Sequence, residues 1–442
     1  MSALGQAIPE GFKQTDVGTI PEDWKDEQLF ELVKVIDGDR GHNYPSANDF
    51  SSDGYCVFLS ASNVTKKGFS FKDISFINKT KDEALRKGKL KRNDIVLTTR
   101  GTVGQYAFYD ETIGYEHLRI NSGMVLVRVI SKEIKPDYLY SVLKSHIVQK
   151  QLSTMSFGSA QPQLTVRDIN NFIVCYPSGS KEQTAIANAL SDIDALLTEL
   201  EKLVAKKQAI KTATMRQLLT GKTRLPQFAT HTVGEKKEQA KGTKPSELGE
   251  IPEDWDVSNI GSVLSITTGS RNTQDKLSDG QYPFFVRSQT IERINTYSFD
   301  GEAVLTAGDG VGTGKIFHYI NGKFDYHQRV YLMHNFGDRI DGYYFYIYFS
   351  NFFYDRIMSM TAKSSVDSVR REMIADMLIT LPPKEEQVAI ATILSDMDNE
   401  IQTLEQRLTK TRQIKQGMMQ QLLTGRTRLP FKKLETEQDG GS

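Results

Sequence analysis

The chain has 442 residues, more than a single hydrophobic core ordinarily organises, so two or more domains are expected. Lys plus Arg and Asp plus Glu both total 55, which excludes attraction to nucleic acid by bulk charge and leaves only local basic surface for that purpose. Cys56 and Cys175 have no Cys-x-x-Cys partner and no His at metal-ligand spacing, and no stretch supplies the roughly 20 apolar residues of a membrane span, so free thiols in a cytoplasmic protein with no membrane attachment are expected.

In chain order, the first segment of note is Lys13-Gln-Thr-Asp-Val-Gly-Thr-Ile-Pro-Glu-Asp-Trp24. It returns as Lys244-Pro-Ser-Glu-Leu-Gly-Glu-Ile-Pro-Glu-Asp-Trp255, and the two copies hold both tryptophans of the chain. Apolar and turn patterning then predicts a strand at Tyr55–Ser60, a strand entering a hairpin at Ile95–Gly104, a strand at Gly123–Val129, a helix at Pro136–Leu152, and a short helix with a closing strand ending at Tyr176. The second copy offers the same order at Pro283–Arg287, Ala303–Gly314, Arg329–His334 and Gly342–Met358, closing at Leu381. These middle regions have diverged although their frames have not.

A second repeated block follows each domain. Gln183-Thr-Ala-Ile-Ala-Asn-Ala-Leu-Ser-Asp-Ile-Asp194 matches Gln387-Val-Ala-Ile-Ala-Thr-Ile-Leu-Ser-Asp-Met-Asp398, and Met215-Arg-Gln-Leu-Leu-Thr-Gly-Lys-Thr-Arg-Leu-Pro226 matches Met419-Gln-Gln-Leu-Leu-Thr-Gly-Arg-Thr-Arg-Leu-Pro430 at the same offset. Ile186, Leu190, Ile193, Leu197, Leu200 and Val204 form a coiled-coil seam, repeated by Ile390, Leu394, Met397, Ile401, Leu404 and Leu408. A capping box at Ser180-x-x-Gln183 is expected to open the first helix, and Gly221 and Gly425 to close the pair. Acidic residues lead each helix and basic residues end it, which brings opposite charges together in an antiparallel pair within one chain.

The resulting plan has an N-terminal segment and first domain over 1–180, a long helix over 181–226, a polar linker over 227–246, a second domain over 247–383, a second long helix over 384–430 and a flexible tail over 431–442. The fold class is α+β: two repeated α/β domains separated by two long antiparallel coiled-coil helices, in a pseudo-twofold internal repeat.

Catalytic motifs fail on inspection. Gly308-Asp-Gly-Val-Gly-Thr-Gly-Lys315 departs from a phosphate loop because Asp309 holds the first-glycine position and Ile316 follows the lysine, so a hairpin turn is expected. No Asn-Pro-Pro-Tyr or Asp-Pro-Pro-Tyr methyltransferase motif is present, and the seven histidines form no triad or metal pair by spacing. The aromatic run Tyr343–Phe349 lies on a helix with apolar neighbours and reads as core.

Two divergent domains, each introduced by Ile-Pro-Glu-Asp-Trp and each followed by a long helix ending in Gln-Leu-Leu-Thr-Gly-x-Thr-Arg-Leu-Pro, resemble the specificity subunit of type I restriction-modification enzymes from Lys13 to Pro430. The resemblance implies two target-recognition domains that read a bipartite double-stranded DNA target, one half-site each. It also implies a non-catalytic chain with no cofactor of its own. Two modification subunits would bind S-adenosylmethionine and methylate adenine, and restriction subunits would translocate and cut DNA with ATP and Mg. A solitary methyltransferase or nuclease, or a coiled-coil scaffold binding protein alone, are the competing readings.

With DNA as the implied ligand, the candidates in the first domain are Lys87, Lys89, Lys91, Arg92 and Arg100, close in sequence, and the amides Gln161 and Gln163, since Gln can pair bidentately with adenine. Those in the second domain are Arg271, Asn272, Arg287, Gln289, Lys315, Gln328 and Arg329. At each position a solvated surface side chain is the competing reading.

Overall fold

The computed structural model describes residues 8–154, 163–235, 237–360 and 368–429. The chain forms two compact units, one of residues 1–201 with 407–442 and one of residues 202–406. Each long helix contributes one half to each unit. Among the described residues no helix is long and apolar enough to cross a membrane.

In the first unit a four-stranded antiparallel sheet runs in the order Tyr106–Phe108, Ile95–Thr98, Met124–Val129, Val33–Asp37. Its alternating residues face two cores. Ile95, Leu97, Val125 and Val127 join Trp24, Tyr138, Phe172 and the helix residues Ile186 and Leu190. Val96, Leu126 and Met124 instead pack with Val57, Leu59 and Leu118 of a smaller sheet formed by Cys56–Leu59, Leu118–Ile120 and Phe76–Ile77. The expected helix over Pro136–Leu152 is two helices, Pro136–Leu143 and His146–Thr154. The break falls at Lys144–Ser145, where buried Ser145 leaves the helical ladder and Lys144 reaches Asp194.

The second unit has one six-stranded sheet, ordered Ser265–Thr268, Val330–His334, Phe299–Ala307, Phe317–Tyr326, Tyr282–Phe285, Glu292–Ile294. Only three residues join Tyr326 to Val330, and Val330 pairs with Ala307 at the opposite end of the Phe299–Ala307 strand from Phe299. Three residues cannot span a nine-residue strand, ~30 Å, so the sheet curls on itself. Gly301 and Gly322, paired across two strands at φ +143° and +146°, supply backbone that other residues rarely adopt. The helix Gly342–Ser359, capped by Asp341, buries Tyr344, Phe345, Tyr348 and Phe349 of the aromatic run against Val304 and Met333 of this sheet.

The long helices span Ser180–Leu219 and Lys384–Leu422. They pair antiparallel within each unit: Asp194 with Lys415 at 2.5 Å and Glu201 with Arg412 at 2.8 Å in the first, Lys207 with Glu400 at 2.6 Å and Lys211 with Asp398 in the second. The capping box at Ser180 does not form. Ser180 already lies inside the helix, and Gln183 turns away to accept from the Lys135 amide and to donate to the Glu133 and Pro177 carbonyls, anchoring the helix to the domain. Gln387 does the same with Asp341, Arg339 and Pro382.

The repeated motifs meet in space. Gly221 closes the first helix at φ +68°, and a Cβ there would lie 2.4 Å from Pro252 and 3.2 Å from Trp255. Arg224 then bridges Asp254 and Glu386, while the Trp255 indole donates to Glu386. In the first unit Gly425 stands 2.4 Å from Pro21 by the same measure, and Arg428 bridges Asp23 and Glu182. The stretch 227–246, expected as a linker, is folded: Thr230 bridges Ala240, Thr243–Ser246 pairs with Gly249–Pro252, and Lys241 binds Asp254 at 2.8 Å. Its polar composition reflects exposure, and backbone pairing needs no apolar residue. The tail over 431–442 lies outside the described residues.

Candidate nucleic-acid interface

The register of the first sheet decides which loops share an end. Asp37 lies opposite Val125, and Met124 opposite Thr98, so the turn after Asp37, the turn before Met124 and the turn after Thr98 emerge together. The Thr99 amide donates to the Gly123 carbonyl at 2.8 Å, and the Leu164 amide donates to the Thr99 carbonyl at 3.0 Å. Arg100 and Gln163 are thereby neighbours, both exposed. Lys87 joins them, because Gly88 packs on Gly38 and Ile120.

The remaining basic residues of this domain are placed otherwise. Lys91 and Arg92 precede Asp94 at the far end of the Ile95–Thr98 strand, so the five cations that are close in sequence are split between opposite ends of one sheet. Arg92 donates to the Ile113 carbonyl at 3.0 Å and lies 4.2 Å over the Tyr109 ring. Lys89 pairs with buried Asp82, which also accepts from Arg119 at 2.8 Å. Burial raises the Asp82 carboxyl, but the hydrogen bonds from Lys89 and Arg119 outweigh it and hold the group below the usual range. Gln161 lies outside the described residues.

The second unit gathers its candidates by the curl of its sheet. The Gln328 amide donates to the Arg271 carbonyl at 2.9 Å, and the Gln328 side chain donates to Asn272 at 2.7 Å. Asp309, in the turn expected from Gly308–Lys315, accepts from Arg287 at 2.8 Å and lies 3.7 Å from Arg329. His327 accepts the Arg329 amide through Nδ1 at 2.9 Å. Burial, reinforced by the charge of Arg287, holds that imidazole below its ordinary pKa, so it acts as a neutral acceptor. Gln289 is exposed beyond Arg287. One candidate is taken up by the fold, since Arg271 binds Asp325, wholly buried, at 3.0 Å; Lys315 is exposed and lies 5.1 Å over the Tyr354 ring.

Both units join the same two places. The Val369 amide donates to the Gly308 carbonyl at 2.7 Å, as Leu164 does to Thr99. Arg40 and Arg86, exposed at the first unit's loop end, escaped the sequence reading. The glycine-flanked turn Asp37-Gly-Asp-Arg-Gly41 after an apolar strand was the available signal. Among the described residues no group of three or more His, Cys, Asp or Glu side chains could hold a metal. Burial pushes the Cys56 and Cys175 thiols up to about 12, so neither is a ready nucleophile.

A family model described as the type I restriction modification DNA specificity domain matches residues 21–212 and again residues 252–415. The putative type I restriction enzyme MjaX specificity subunit of Methanocaldococcus jannaschii is 23% identical over 441 residues, 95% of this chain and 97% of that protein. The type I restriction enzyme EcoDI specificity subunit of Escherichia coli is 29% identical over 176 residues, 40% of this chain and 38% of that protein. Among solved structures, a type I restriction-modification system S subunit from M. genitalium covers 90% of this chain and 96% of its own at a TM-score of 0.60 and 13% identity, which shows a shared fold. Because the family model takes in both repeats and most of the sequence, the chain belongs to the type I restriction modification DNA specificity family.

Proposed function

We propose that this chain is the DNA-recognition subunit of a type I restriction-modification complex and reads a bipartite double-stranded target, one half-site per repeat. The observation that carries the reading is the repeated loop end: each unit collects exposed Arg, Lys and amide side chains at one end of its sheet, on turns joined by the same backbone hydrogen bond. Arg and Gln or Asn in such turns have the donor geometry for guanine and adenine edges. Arg100 and Gln163 are the base contacts proposed for one half-site, with Lys87 on the adjoining DNA backbone, and Asn272, Arg287, Gln289, Gln328 and Arg329 are the contacts proposed for the other. Two modification subunits bring S-adenosylmethionine and the methyl transfer, restriction subunits bring ATP- and Mg-dependent translocation, and the assembly works in the cytoplasm.

The test is reconstitution of the full chain with its modification subunits, followed by sequencing of methylated adenines in a random DNA library. Two short constant sequences separated by an unspecified spacer are expected. Methylation at a single continuous site, or binding with no dependence on sequence, overturns the proposal.

A further inference from the structure

Beside the Arg100 turn, the first unit holds an open polar hollow of ≈330 Å³, walled by the turn Asp37–Gly41 and by Arg86 and Lys87. Asp39 is its floor, 6% exposed. Its Oδ1 accepts the Gly41 amide at 2.8 Å and its Oδ2 accepts the Arg86 amide at 2.7 Å. The first of these, with the second and the nearby Arg86 charge, holds the carboxyl below its ordinary range. The acid is therefore ionised while it braces two loops, and with Asp37 it offsets part of the charge of Arg40, Arg86 and Lys87, which leaves the hollow net positive.

Those cations face outward. Arg40 donates to the Ser122 carbonyl at 3.2 Å and lies 3.8 Å from Asp37, half-exposed. Arg86 and Lys87 are exposed, and among the described residues neither has an ion-pair partner within 4.0 Å. Glycines set how tightly the walls close: a Cβ on Gly41 would lie 2.7 Å from the Arg86 guanidinium, and one on Gly38 2.1 Å from the Asn121 carbonyl oxygen. Three forked or terminal donors around backbone without side chains suit a small anion with several oxygens; a flat base would need an apolar wall to stack on. The second unit's loop end differs, for Arg271, Arg287 and Arg329 each lie within 4.0 Å of a carboxylate, as only Arg40 of the hollow's three cations does among the described residues.

We infer that this hollow is a phosphate clamp, in which Arg40, Arg86 and Lys87 grip the DNA backbone beside the half-site read by the first unit. The inference rests on the recognition reading and adds to it a division of labour, since phosphate contacts fix register and carry no sequence information. Each neutralised phosphate contributes about 0.9 to the slope of log affinity against log salt.

The experiment measures that slope for the complex of full-length chain and modification subunits, on a duplex carrying the mapped target and on a scrambled duplex. Replacing Arg40, Arg86 and Lys87 together by Ala should lower the slope by about 2–3 on both duplexes and leave the methylated sequence unchanged. A single Arg86→Gln should lower it by about 1 and covers the case in which the triple variant does not assemble. An undiminished slope for both variants overturns the clamp, as does a loss confined to the target duplex, which would make these residues base readers. Failure of the unaltered complex to bind either duplex overturns the recognition reading instead, before any variant is made.

Discussion

At the scale of single residues, two arginines carry the same repeated motif in unequal surroundings. Arg224 is 10% exposed, bridges Asp254 and Glu386, and shares Asp254 with Lys241. Arg428 is 42% exposed and faces Asp23 and Glu182, while the Trp24 indole nitrogen has no partner among the described residues. Removing Arg224 leaves buried Glu386 with the Trp255 indole as its remaining donor and takes a partner from Asp254 as well; loss of the cation of a buried pair costs about 3–5 kcal/mol where the site is dry. Arg428→Ala also strands a buried acid, Glu182, but its other partner Asp23 is 60% exposed where Asp254 is 24% exposed, so Arg224→Ala should lower the urea midpoint more, and equal shifts would refute the asymmetry. Burial raises the Asp254 carboxyl, but hydrogen bonds from Arg224 and Lys241 outweigh it and hold the group below the ordinary range. A depressed carboxyl stabilises the fold above its unfolded-state pKa and loses that contribution as pH falls through the folded-state value. The acid limb of stability should accordingly flatten in Arg224→Ala.

At the scale of elements, the long helices show why an insertion in one helix alone is a poor test of length. Their ion pairs step down one helix as they step up the other, so lengthening one shifts every pair beyond the insertion. Matched insertions of about four residues after Lys202 and after Gln406 keep the pairs of each unit in register and lengthen each helix by ~6 Å. With ~3.4 Å of duplex per base pair, the preferred spacer should grow by roughly one or two base pairs while both half-sites keep their sequence. Methylation of a library varied only in spacer length reads this directly, and an unchanged preference with activity retained would show that the helices do not set the spacer. A one-residue insertion turns the following face by about 100° and should break the apolar seam.

At the scale of the whole molecule, the repeats present closed frames for divergent interiors. Trp24 lies opposite Pro177 in an antiparallel pair, and Asp256 lies opposite Leu381 in the second repeat, so each variable region leaves and re-enters its frame at adjacent points. Exchange of residues 24–176 for the matching region of a relative should therefore replace one half-site and preserve the other. Change of both halves in the methylation map would refute independent reading.

The repeat, the seam and the antiparallel charge gradient were legible because each is a short-range pattern: two copies of one motif, apolar residues a turn apart, and acids and bases sorted along a helix. Gly221 and Gly425 were legible as helix ends for the same reason, although only the packed structure shows that Pro252 and Pro21 leave no room for a Cβ. The basic cluster was legible in composition but not in space. Lys87 and Arg100 share a sheet end, while Lys91 and Arg92 sit at the other, because strand direction and register carry residues a few positions apart to opposite ends. Likewise Lys89, Arg92 and Arg271 look like free cations in the sequence, and only the folded chain supplies Asp82, the Ile113 carbonyl and Asp325 as their partners. Arg40 and Arg86 went unread for the converse reason: 46 positions separate them along the chain, and one buried carboxylate, Asp39, joins their loops. The sequence by itself determined the repeated architecture, and tertiary structure decided which charges remain for a partner, because pairing within the fold depends on neighbours that no local pattern encodes.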